Sequence, residues 1–244
     1  MEFENKRVVI TGGTAGIGLE AARLFVRGGA DVIVSGRDTA RGESAVKELG
    51  QEGPGTARFV RADLGDLADV DALATAAGQV DVIVNGAAAF PVATTLDQTV
   101  EAFESMFDTN VRGAYFLVAR LVPGMLERGE GSIVNVTTMA ATMGVPGASV
   151  YSATKAALAS LTRTWAAEFG PRGVRVNSVA PGPTRTEGVL AEWGESIEDL
   201  ARVLPLGRTA RAPEIAEAIA FLASPRASFV TGTTMHVDAG ATAI

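Results

Sequence analysis

Residues 7–18 read RVVITGGTAGIG, a β-branched run that passes directly into a glycine-rich turn. The apolar run over residues 8–10 is typical of a strand that is buried on both faces. Glycines in the turn let the backbone approach a pyrophosphate, and the N-terminus of the next helix offers free N–H groups to phosphates. The spacing of Gly16, Gly18 and Ala21 also fits the Gly-x-Gly-x-x-Ala pattern. We therefore predict a dinucleotide-binding strand–turn–helix unit, with a purely structural turn as the competing interpretation.

The rest of the chain repeats this alternation of strand and helix patterns. Helical patterns, among them residues 99–107 and 111–127, separate strand-like runs at residues 7–11, 31–35, 57–60, 80–84, 132–136, 174–178 and 233–237. A less regular stretch runs from Gly182 to Arg211. Seven such strands favour an α/β fold: one Rossmann-like, doubly wound domain over residues 1–244, with a seven-stranded, mostly parallel sheet and helices on both faces. Ligands bind such sheets at the C-terminal ends of the strands.

The composition excludes several classes of site. The 244 residues include no cysteine, which excludes disulfides, thiolate zinc sites and cysteine nucleophiles. His236 is the one histidine, so we expect no metal centre and interpret it as a packed or hydrogen-bonded strand residue. The net charge of −7 disfavours nucleic acid as a partner. Neither a membrane-spanning run nor a signal-peptide pattern occurs, which predicts a cytoplasmic protein without membrane contact.

The residues after the second strand bear on the choice of cofactor. An NAD site usually places an acid at the end of this strand to bind the ribose hydroxyls, and Gly36 occupies that place. Arg37 can donate two N–H groups to a 2′-phosphate, and Ser35 can add a hydroxyl. The pattern therefore favours NADP(H) over NAD(H). Two alternatives stay open: Asp38 turns to the ribose of NAD, or Arg37 is a solvated residue near a helix start.

Tyr151 and Lys155 are four residues apart at the start of a long helical pattern, so they would lie on one helix face. An ammonium beside a phenol favours the phenolate and lowers the pKa of the tyrosine from its usual ~10. The pair is thus a candidate acid/base near neutral pH. Taken alone, such a pair is more often an ordinary amphipathic pair.

These positions form an ordered series that resembles the short-chain dehydrogenase/reductase family along nearly the whole chain. The series consists of Gly12 to Gly18, Asp63, Asn85-Gly86-Ala87, Asn110, Thr138, Tyr151, Lys155 and Pro181-Gly182. Within the family, residues 151–155 and 237–240 resemble those of 3-oxoacyl-[acyl-carrier-protein] reductases. The ordered set is far more specific than any motif in it.

The resemblance implies an NAD(P)-dependent oxidoreductase that interconverts a carbonyl and a secondary alcohol by hydride transfer. In such an enzyme Tyr151 is the acid/base, and Lys155 lowers its pKa and holds the nicotinamide ribose. Asn110 holds a water of the proton relay, and Thr138 hydrogen-bonds the substrate oxygen. The resemblance also implies cofactor contacts by Gly12, Thr14, Ala15, Gly16, Ile17, Gly18, Ser35, Arg37, Asp63, Leu64, Asn85, Gly86, Ala87, Tyr151, Lys155, Pro181, Gly182, Thr184 and Thr186.

Two departures from the family pattern concern the site. Thr138 stands where the family has serine; it keeps the hydroxyl, and its methyl group takes room from the substrate. Gly86 and Ala88 replace two residues of the family's Asn-Asn-Ala-Gly segment, while Asn85 is kept. We expect catalysis and backbone contacts to the cofactor to survive both changes.

The substrate and the assembly stay open at this stage. The favoured interpretation is an NADPH-preferring ketone or 3-oxoacyl reductase, and the alternative is an NAD-dependent dehydrogenase of a sugar or steroid-like alcohol. A non-catalytic dinucleotide-binding regulator is disfavoured because Tyr151 and Lys155 are both present. Apolar residues in the expected pocket segments, such as Val145 and Trp193, hint at a hydrophobic small molecule. The resemblance implies a homotetramer or homodimer.

Overall fold

The structure is a computed structural model that describes residues 1–243. Its strands are β1 (Arg7–Thr11), β2 (Asp31–Gly36), β3 (Thr56–Arg61), β4 (Val82–Asn85), β5 (Gly131–Val136), β6 (Val174–Pro181), β7 (Thr184–Arg185), β8 (Ala210–Arg211) and β9 (Thr234–Val237). Its α-helices are α1 (Gly16–Arg27), α2 (Thr39–Leu49), α3 (Leu67–Ala77), α4 (Val100–Phe107), α5 (Ala114–Arg128), α6 (Ser149–Phe169), α7 (Glu187–Trp193), α8 (Ser196–Arg202) and α9 (Ala212–Ala223).

Seven of these strands form one sheet in the order β3-β2-β1-β4-β5-β6-β9, and every neighbouring pair is parallel. The strand order reverses between β1 and β4, whose last paired residues are Thr11 and Asn85. A crevice opens outside the carboxyl ends of the strands at such a reversal. The predicted doubly wound α/β fold is confirmed, and this crevice is where the site lies.

The core has two layers because side chains alternate along the buried strands. Val8 and Ile10 of β1 belong to the cluster covered by α1 and α9, whereas Val9 belongs to the cluster covered by α3, α5 and α6. Phe25 on α1 and Leu117 on α5 are fully buried in these two layers. The helices are therefore held by apolar contacts on both faces of the sheet.

The structure differs from the sequence predictions in two regions. A π-helical segment, Asp108–Gly113, joins α4 directly to α5, where the sequence predicted a break before residue 111. The stretch from Gly182 to Arg211, expected to be irregular, contains the short elements β7, α7, α8 and β8. Short helices of this kind carry too few periodic positions to stand out in a sequence.

Within residues 1–243, no helix is long and apolar enough to cross a bilayer. The same residues contain no cluster of three or more His, Asp or Glu side chains that could hold a metal ion.

Candidate active site

The glycine-rich turn after β1 lies against the loop after β4. Gly12 has a φ of 68°, and a Cβ on it would lie 2.9 Å from the backbone N of Ala87. The side chain of Thr11 fixes this loop, since its Oγ1 accepts hydrogen bonds from the N–H groups of Gly86 at 3.1 Å and Ala87 at 3.2 Å. These contacts are made to the backbone, so the departures at Gly86 and Ala88 leave the floor of the crevice intact.

The N-terminus of α1 faces the crevice. Gly16 has a φ of 53°, and Ala15, which precedes it, makes no side-chain capping bond. The first N–H groups of this helix therefore have no capping side chain and can bind an anion. A Cβ on Gly16 would lie 3.2 Å from Thr186 Cγ2, so the segment before α7 closes over the turn.

Two arginines line the end of the cavity beyond β2. The side chain of Arg37 is exposed and has no ion-pair or hydrogen-bond partner among residues 1–243. The Arg41 guanidinium lies 3.4 Å from Glu187 Oε1. Asp38 caps α2, because its Oδ1 accepts a hydrogen bond from the Arg41 N–H at 3.0 Å. This end therefore presents one unpaired cation, Arg37, a second cation that is paired with Glu187, and a carboxylate that is already engaged.

Thr14 occupies the space beside Gly36, where an NAD site would carry an acidic side chain. A Cβ on Gly36 would lie 3.0 Å from Thr14 Oγ1 and 3.2 Å from its Cγ2, so a larger residue would have to displace the threonine. Ser35 precedes Gly36 in β2, and its side chain is fully buried and does not line the cavity. The Ser35 side chain therefore does not reach the cavity in this structure, because strand alternation directs it to the face of the sheet opposite that of Val34.

Asp63 and Leu64 follow β3 and line the same cavity. Asp63 Oδ1 accepts a hydrogen bond from the Gly65 N–H at 3.0 Å, and the Asp63 N–H donates to Asp69 Oδ2 at 2.9 Å. The backbone at this point is thus fixed, and the second carboxylate oxygen of Asp63 is free to accept a hydrogen bond from a ligand.

Tyr151, Lys155 and Thr138 converge on the other end of the cavity. Lys155 Nζ lies 5.8 Å from the centroid of the Tyr151 ring and donates a hydrogen bond to the Val136 carbonyl oxygen at 2.8 Å. The ring of Phe90 packs beside Tyr151 with a centroid distance of 6.0 Å. Three of the four side chains that were predicted to be catalytic therefore share one wall.

The electrostatics of this wall differ from the sequence prediction. Burial raises the pKa of Tyr151 to about 12, although a hydrogen bond with the Thr138 hydroxyl opposes the rise. Burial lowers the pKa of Lys155 to about 8. The ammonium was predicted to lower the pKa of the phenol, but desolvation disfavours the charged form of both groups and dominates here. Tyr151 is consequently held as a phenol at neutral pH, the form that can donate a proton.

Asn110 lies in the π-helical segment beneath this wall and is almost fully buried. Its Nδ2 donates to the Ala89 carbonyl oxygen at 2.8 Å and to Thr154 Oγ1 at 3.0 Å, and its Oδ1 accepts from the Ala89 N–H at 2.7 Å. The side chain is thus engaged by protein groups, and it fixes Ala89 against α6. The implied relay water stays a prediction.

The cavity as a whole fits a nicotinamide dinucleotide. It has a volume of about 520 Å³ and extends from Arg37, past the glycine turn, to Tyr151. Gly12 allows the turn to pack against the backbone of Ala87, cations lie at one end of the cavity, and the Tyr151–Lys155 pair lies at the other. Pro181, Gly182, Thr184 and Thr186 also line this cavity, and their contacts with a cofactor stay a prediction.

Comparison with known proteins agrees with this geometry. The family model described as "Enoyl-(Acyl carrier protein) reductase" matches residues 12–242. The chain belongs to the short-chain dehydrogenase/reductase family. A solved structure described as a "short chain dehydrogenase/reductase family protein" is 59% identical, covers 100% of both chains and has a TM-score of 0.95. Like its relatives in this family, the chain is an oxidoreductase, and the family binds nicotinamide dinucleotides.

Two further relatives in the family illustrate its range. The A-factor type gamma-butyrolactone 1′-reductase of Streptomyces virginiae is 39% identical and covers 96% of this chain and 94% of its own. The L-sorbose reductase of Gluconobacter frateurii, solved with NADPH and L-sorbose, is 28% identical, covers 98% of both chains and has a TM-score of 0.92. These are different reactions on one scaffold, so the substrate has to be argued from this chain's own cavity.

The short-chain dehydrogenase/reductase cavity is covered on one side by α7 and α8. Arg185 at the end of β7 binds Glu195 at 3.2 Å and Glu198 at 2.8 Å, which ties α8 and the residue before it to the β7–β8 ribbon. His236 bonds Thr242 Oγ1 at 3.2 Å, as a hydrogen-bonded strand histidine should.

Asn85 does not line the cavity, although the sequence placed it among the cofactor contacts. Its Nδ2 donates to Asn135 Oδ1 at 2.8 Å, and Asn135 Nδ2 donates to Thr162 Oγ1 at 2.8 Å. This buried polar chain links the end of β4 to α6, so Asn85 positions the loop that follows it. An asparagine at position 135, inside an otherwise apolar strand, was the signal that could have revealed the link.

Among the charged residues that line the cavity, Arg41 is the one that sequence reasoning missed. It lies in the first turn of α2, which begins at Thr39 directly after the end of β2. The predicted helix start beside Arg37 was the signal that could have found it.

Proposed function

We propose that the chain is an NADP(H)-preferring oxidoreductase that reduces a ketone to a secondary alcohol and catalyses the reverse reaction. The observation that carries this is one cavity with Tyr151, Lys155 and Thr138 at one end and Arg37 and Arg41 at the other. The first set supplies acid/base chemistry, and the second set matches the charge of a 2′-phosphate.

The chain's own groups handle the proton and the substrate oxygen. A bound nicotinamide supplies the hydride. The phenol of Tyr151 donates its proton to the carbonyl oxygen as the alcohol forms, and the Thr138 hydroxyl holds that oxygen in place. The buried ammonium of Lys155 stabilises the phenolate that results, because an opposite charge in a desolvated site interacts strongly. In the oxidation direction the same phenolate accepts the proton of the alcohol.

The proposed preference for NADP(H) rests on three features of the cavity end beyond β2. Arg37 has no protein partner within residues 1–243, and the guanidinium fork of an arginine suits a phosphate. The carboxylate of Asp38 caps α2 and so has less capacity for ribose hydroxyls. Thr14 fills the place beside Gly36 that an NAD-binding acid would need. Asp38 still lines the cavity, which keeps the NAD-dependent alcohol dehydrogenase as the second candidate.

A fluorescence titration of the purified protein with NADPH and with NADH tests the cofactor. We expect tighter binding of NADPH, and Arg37→Ala should weaken it roughly 10- to 100-fold while NADH binding changes little, because a charge-assisted contact to phosphate is lost. Arg120→Ala removes the same charge from an exposed pair with Asp71 and is the matched control. Equal binding of both dinucleotides would favour the NAD-dependent candidate, and binding of neither would refute an oxidoreductase function.

Substitution Tyr151→Phe tests the acid/base. It removes only the hydroxyl, so NADPH affinity should stay near that of the unchanged protein while kcat falls by about 10²- to 10⁴-fold. The decisive measurement compares the NADPH dissociation constant with kcat for a ketone substrate, since only kcat should change. A variant that turned over at the full rate would show that another group moves the proton.

The assembly and location belong to the same proposal. Phe103 and Tyr115 are exposed on α4 and α5, and Tyr115 packs beside the buried Trp165 of α6 at 5.9 Å. An aromatic surface of this kind supports a homo-oligomer, which we propose to be a tetramer. The cytoplasmic location and a small-molecule partner complete the proposed function.

A further inference from the structure

The end of the cavity beyond Tyr151 is lined by apolar groups. Its lining residues, apart from the catalytic side chains and two threonines, are Phe90, Pro91, Val92, Met139, Ala140, Val145, Gly147, Ala148, Gly188, Val189, Trp193, Ile197 and Leu200. Every charged residue that lines the cavity stands at the cofactor end or is Lys155 itself. A substrate in this end therefore meets hydrocarbon and aromatic surface around the reacting carbonyl.

The two threonines at this end, Thr184 and Thr186, already form hydrogen bonds within the protein. Thr184 donates its hydroxyl hydrogen to the Gly182 carbonyl oxygen at 2.9 Å. Thr186 Oγ1 accepts the Val189 N–H at 3.3 Å and caps α7. These two hydroxyl groups keep one donor and one acceptor site between them, so most hydroxyl groups of a polyhydroxy substrate would lose their water here without gaining a side-chain partner, which is unfavourable.

The segments that form this end are also poor in cations. No lysine or arginine occurs between Arg61 and Arg112 or between Arg128 and Lys155. Residues 183–200 hold five carboxylates and a single cation, Arg185, which is bound to Glu195 and Glu198. The other cation near the opening, Arg41, lies against Glu187. With Arg202, which binds Asp199 at 2.6 Å, three cations face these five carboxylates, so the segment keeps a net negative charge that disfavours an anionic substrate.

We propose that the substrate is an uncharged, largely hydrocarbon ketone or secondary alcohol, and that the enzyme discriminates against polyhydroxy ketones and against anionic or carrier-bound acyl substrates. This inference rests on the proposed function, because it concerns the substrate end of the same catalytic cavity. It separates this chain from a 3-oxoacyl carrier reductase and from a sugar reductase, two activities that the family fold accommodates.

The first experiment compares matched substrates on the unchanged enzyme with NADPH. Ethyl acetoacetate and acetoacetyl-coenzyme A share the reacting 3-oxo group and differ in the anionic carrier. Hexan-2-one and fructose are six-carbon ketones that differ in hydroxylation. The neutral, apolar member of each pair should have the larger kcat/KM, by at least ~10-fold, which corresponds to ~1.4 kcal/mol of transition-state binding.

The outcomes separate the two proposals. Turnover of the anionic or polyhydroxy member at an equal or higher kcat/KM overturns the substrate class and leaves the oxidoreductase function standing. Absence of turnover for every ketone and for the corresponding alcohols, with NADPH or NADH, overturns the proposed function and the substrate class with it.

A charge introduced into the apolar end provides a second test. Val189 lies on the partly exposed helix α7 and lines the apolar end of the cavity. Val189→Arg therefore introduces a cation among the apolar residues of that end. The ratio of kcat/KM for acetoacetyl-coenzyme A to that for ethyl acetoacetate should rise several-fold. Glu43→Gln changes the net charge by the same amount on the exposed face of α2, outside the residues that line the cavity, and should leave the ratio unchanged. Equal ratios in all three proteins would overturn the charge argument.

Discussion

Lys155 is a buried cation with a single hydrogen bond, to the Val136 carbonyl oxygen, and it is 1% exposed. Burial lowers its pKa to about 8 in the folded protein, against 10.5 for an ordinary lysine. Between these two values the unfolded chain binds more protons than the folded one, so the free energy of unfolding rises with pH. At pH 7 both states are charged, and the folded protein bears the cost of burying an ammonium group.

The expected consequence is a protein without dinucleotide that gains stability on mild alkalinisation. The free energy of unfolding should rise by about 1 kcal/mol from pH 7 to pH 9 through Lys155, which corresponds to roughly 3 °C in Tm for a chain of this size. The raised pKa of Tyr151, about 12, acts only above this window. Thermal unfolding of the unchanged protein and of Lys155→Met isolates the effect, since methionine does not titrate. Parallel curves for the two proteins would show that Lys155 keeps an ordinary pKa.

At the scale of elements, a buried polar chain joins β4, β5 and α6. Asn135→Leu would leave the Asn85 amide without its partner and should lower the free energy of unfolding by about 2–3 kcal/mol. Thr162→Val would remove the acceptor of the Asn135 amide and should cost about 1–2 kcal/mol. The double variant should cost less than the two single losses combined, because each substitution breaks the same link.

Chemical denaturation of the unchanged protein, the two single variants and the double variant gives the coupling free energy between positions 135 and 162. Thr75→Val is the matched control, because Thr75 Oγ1 donates to the Asp71 carbonyl oxygen on the exposed helix α3 and belongs to no network. Its effect should stay within about 0.5 kcal/mol. Additive losses at Asn135 and Thr162 would show that the chain does not act as a unit.

The same elements show why some of the structure could be predicted from sequence and some could not. The strands and the glycine turn could be predicted because they depend on few neighbours. A β-branched run such as residues 8–10 favours a strand by itself, and the turn needs a glycine at position 12 because its φ is positive. The orientation of Ser35 depends on the register of a whole strand. The π-helical segment follows from the fit of Asn110 between Ala89 and Thr154, which are distant in sequence.

The candidate site also has features that could be predicted from sequence and features that depend on the folded structure. The pairing of Tyr151 with Lys155 could be predicted from their four-residue spacing on a helix, and the place of Thr138 beside them from the family resemblance. The sign of the tyrosine pKa shift could not, because it depends on how far the folded protein removes water from both groups.

At the scale of the whole molecule, the exposed aromatic side chains among residues 1–243 lie in two separate regions. One holds Phe103 and Tyr115 on α4 and α5, which flank a groove lined in part by Phe107 and Leu161. The other holds Phe229, which is fully exposed in the segment before the edge strand β9. Large exposed aromatic groups are typical of contact surfaces. Two different surfaces on one chain are what a tetramer with twofold axes requires.

The proposed tetramer can be dissected with one charge on each surface. The unchanged protein should have about four times the chain mass of 25.1 kDa by light scattering after size-exclusion chromatography. Tyr115→Glu should leave dimers held by the surface around Phe229, and Phe229→Glu should leave dimers held by the α4–α5 surface, because a buried unpaired carboxylate is strongly unfavourable. The double variant should be a monomer. A tetramer that survives Phe229→Glu would exclude that surface from the assembly, and an unchanged protein that elutes as a monomer would refute the tetramer itself.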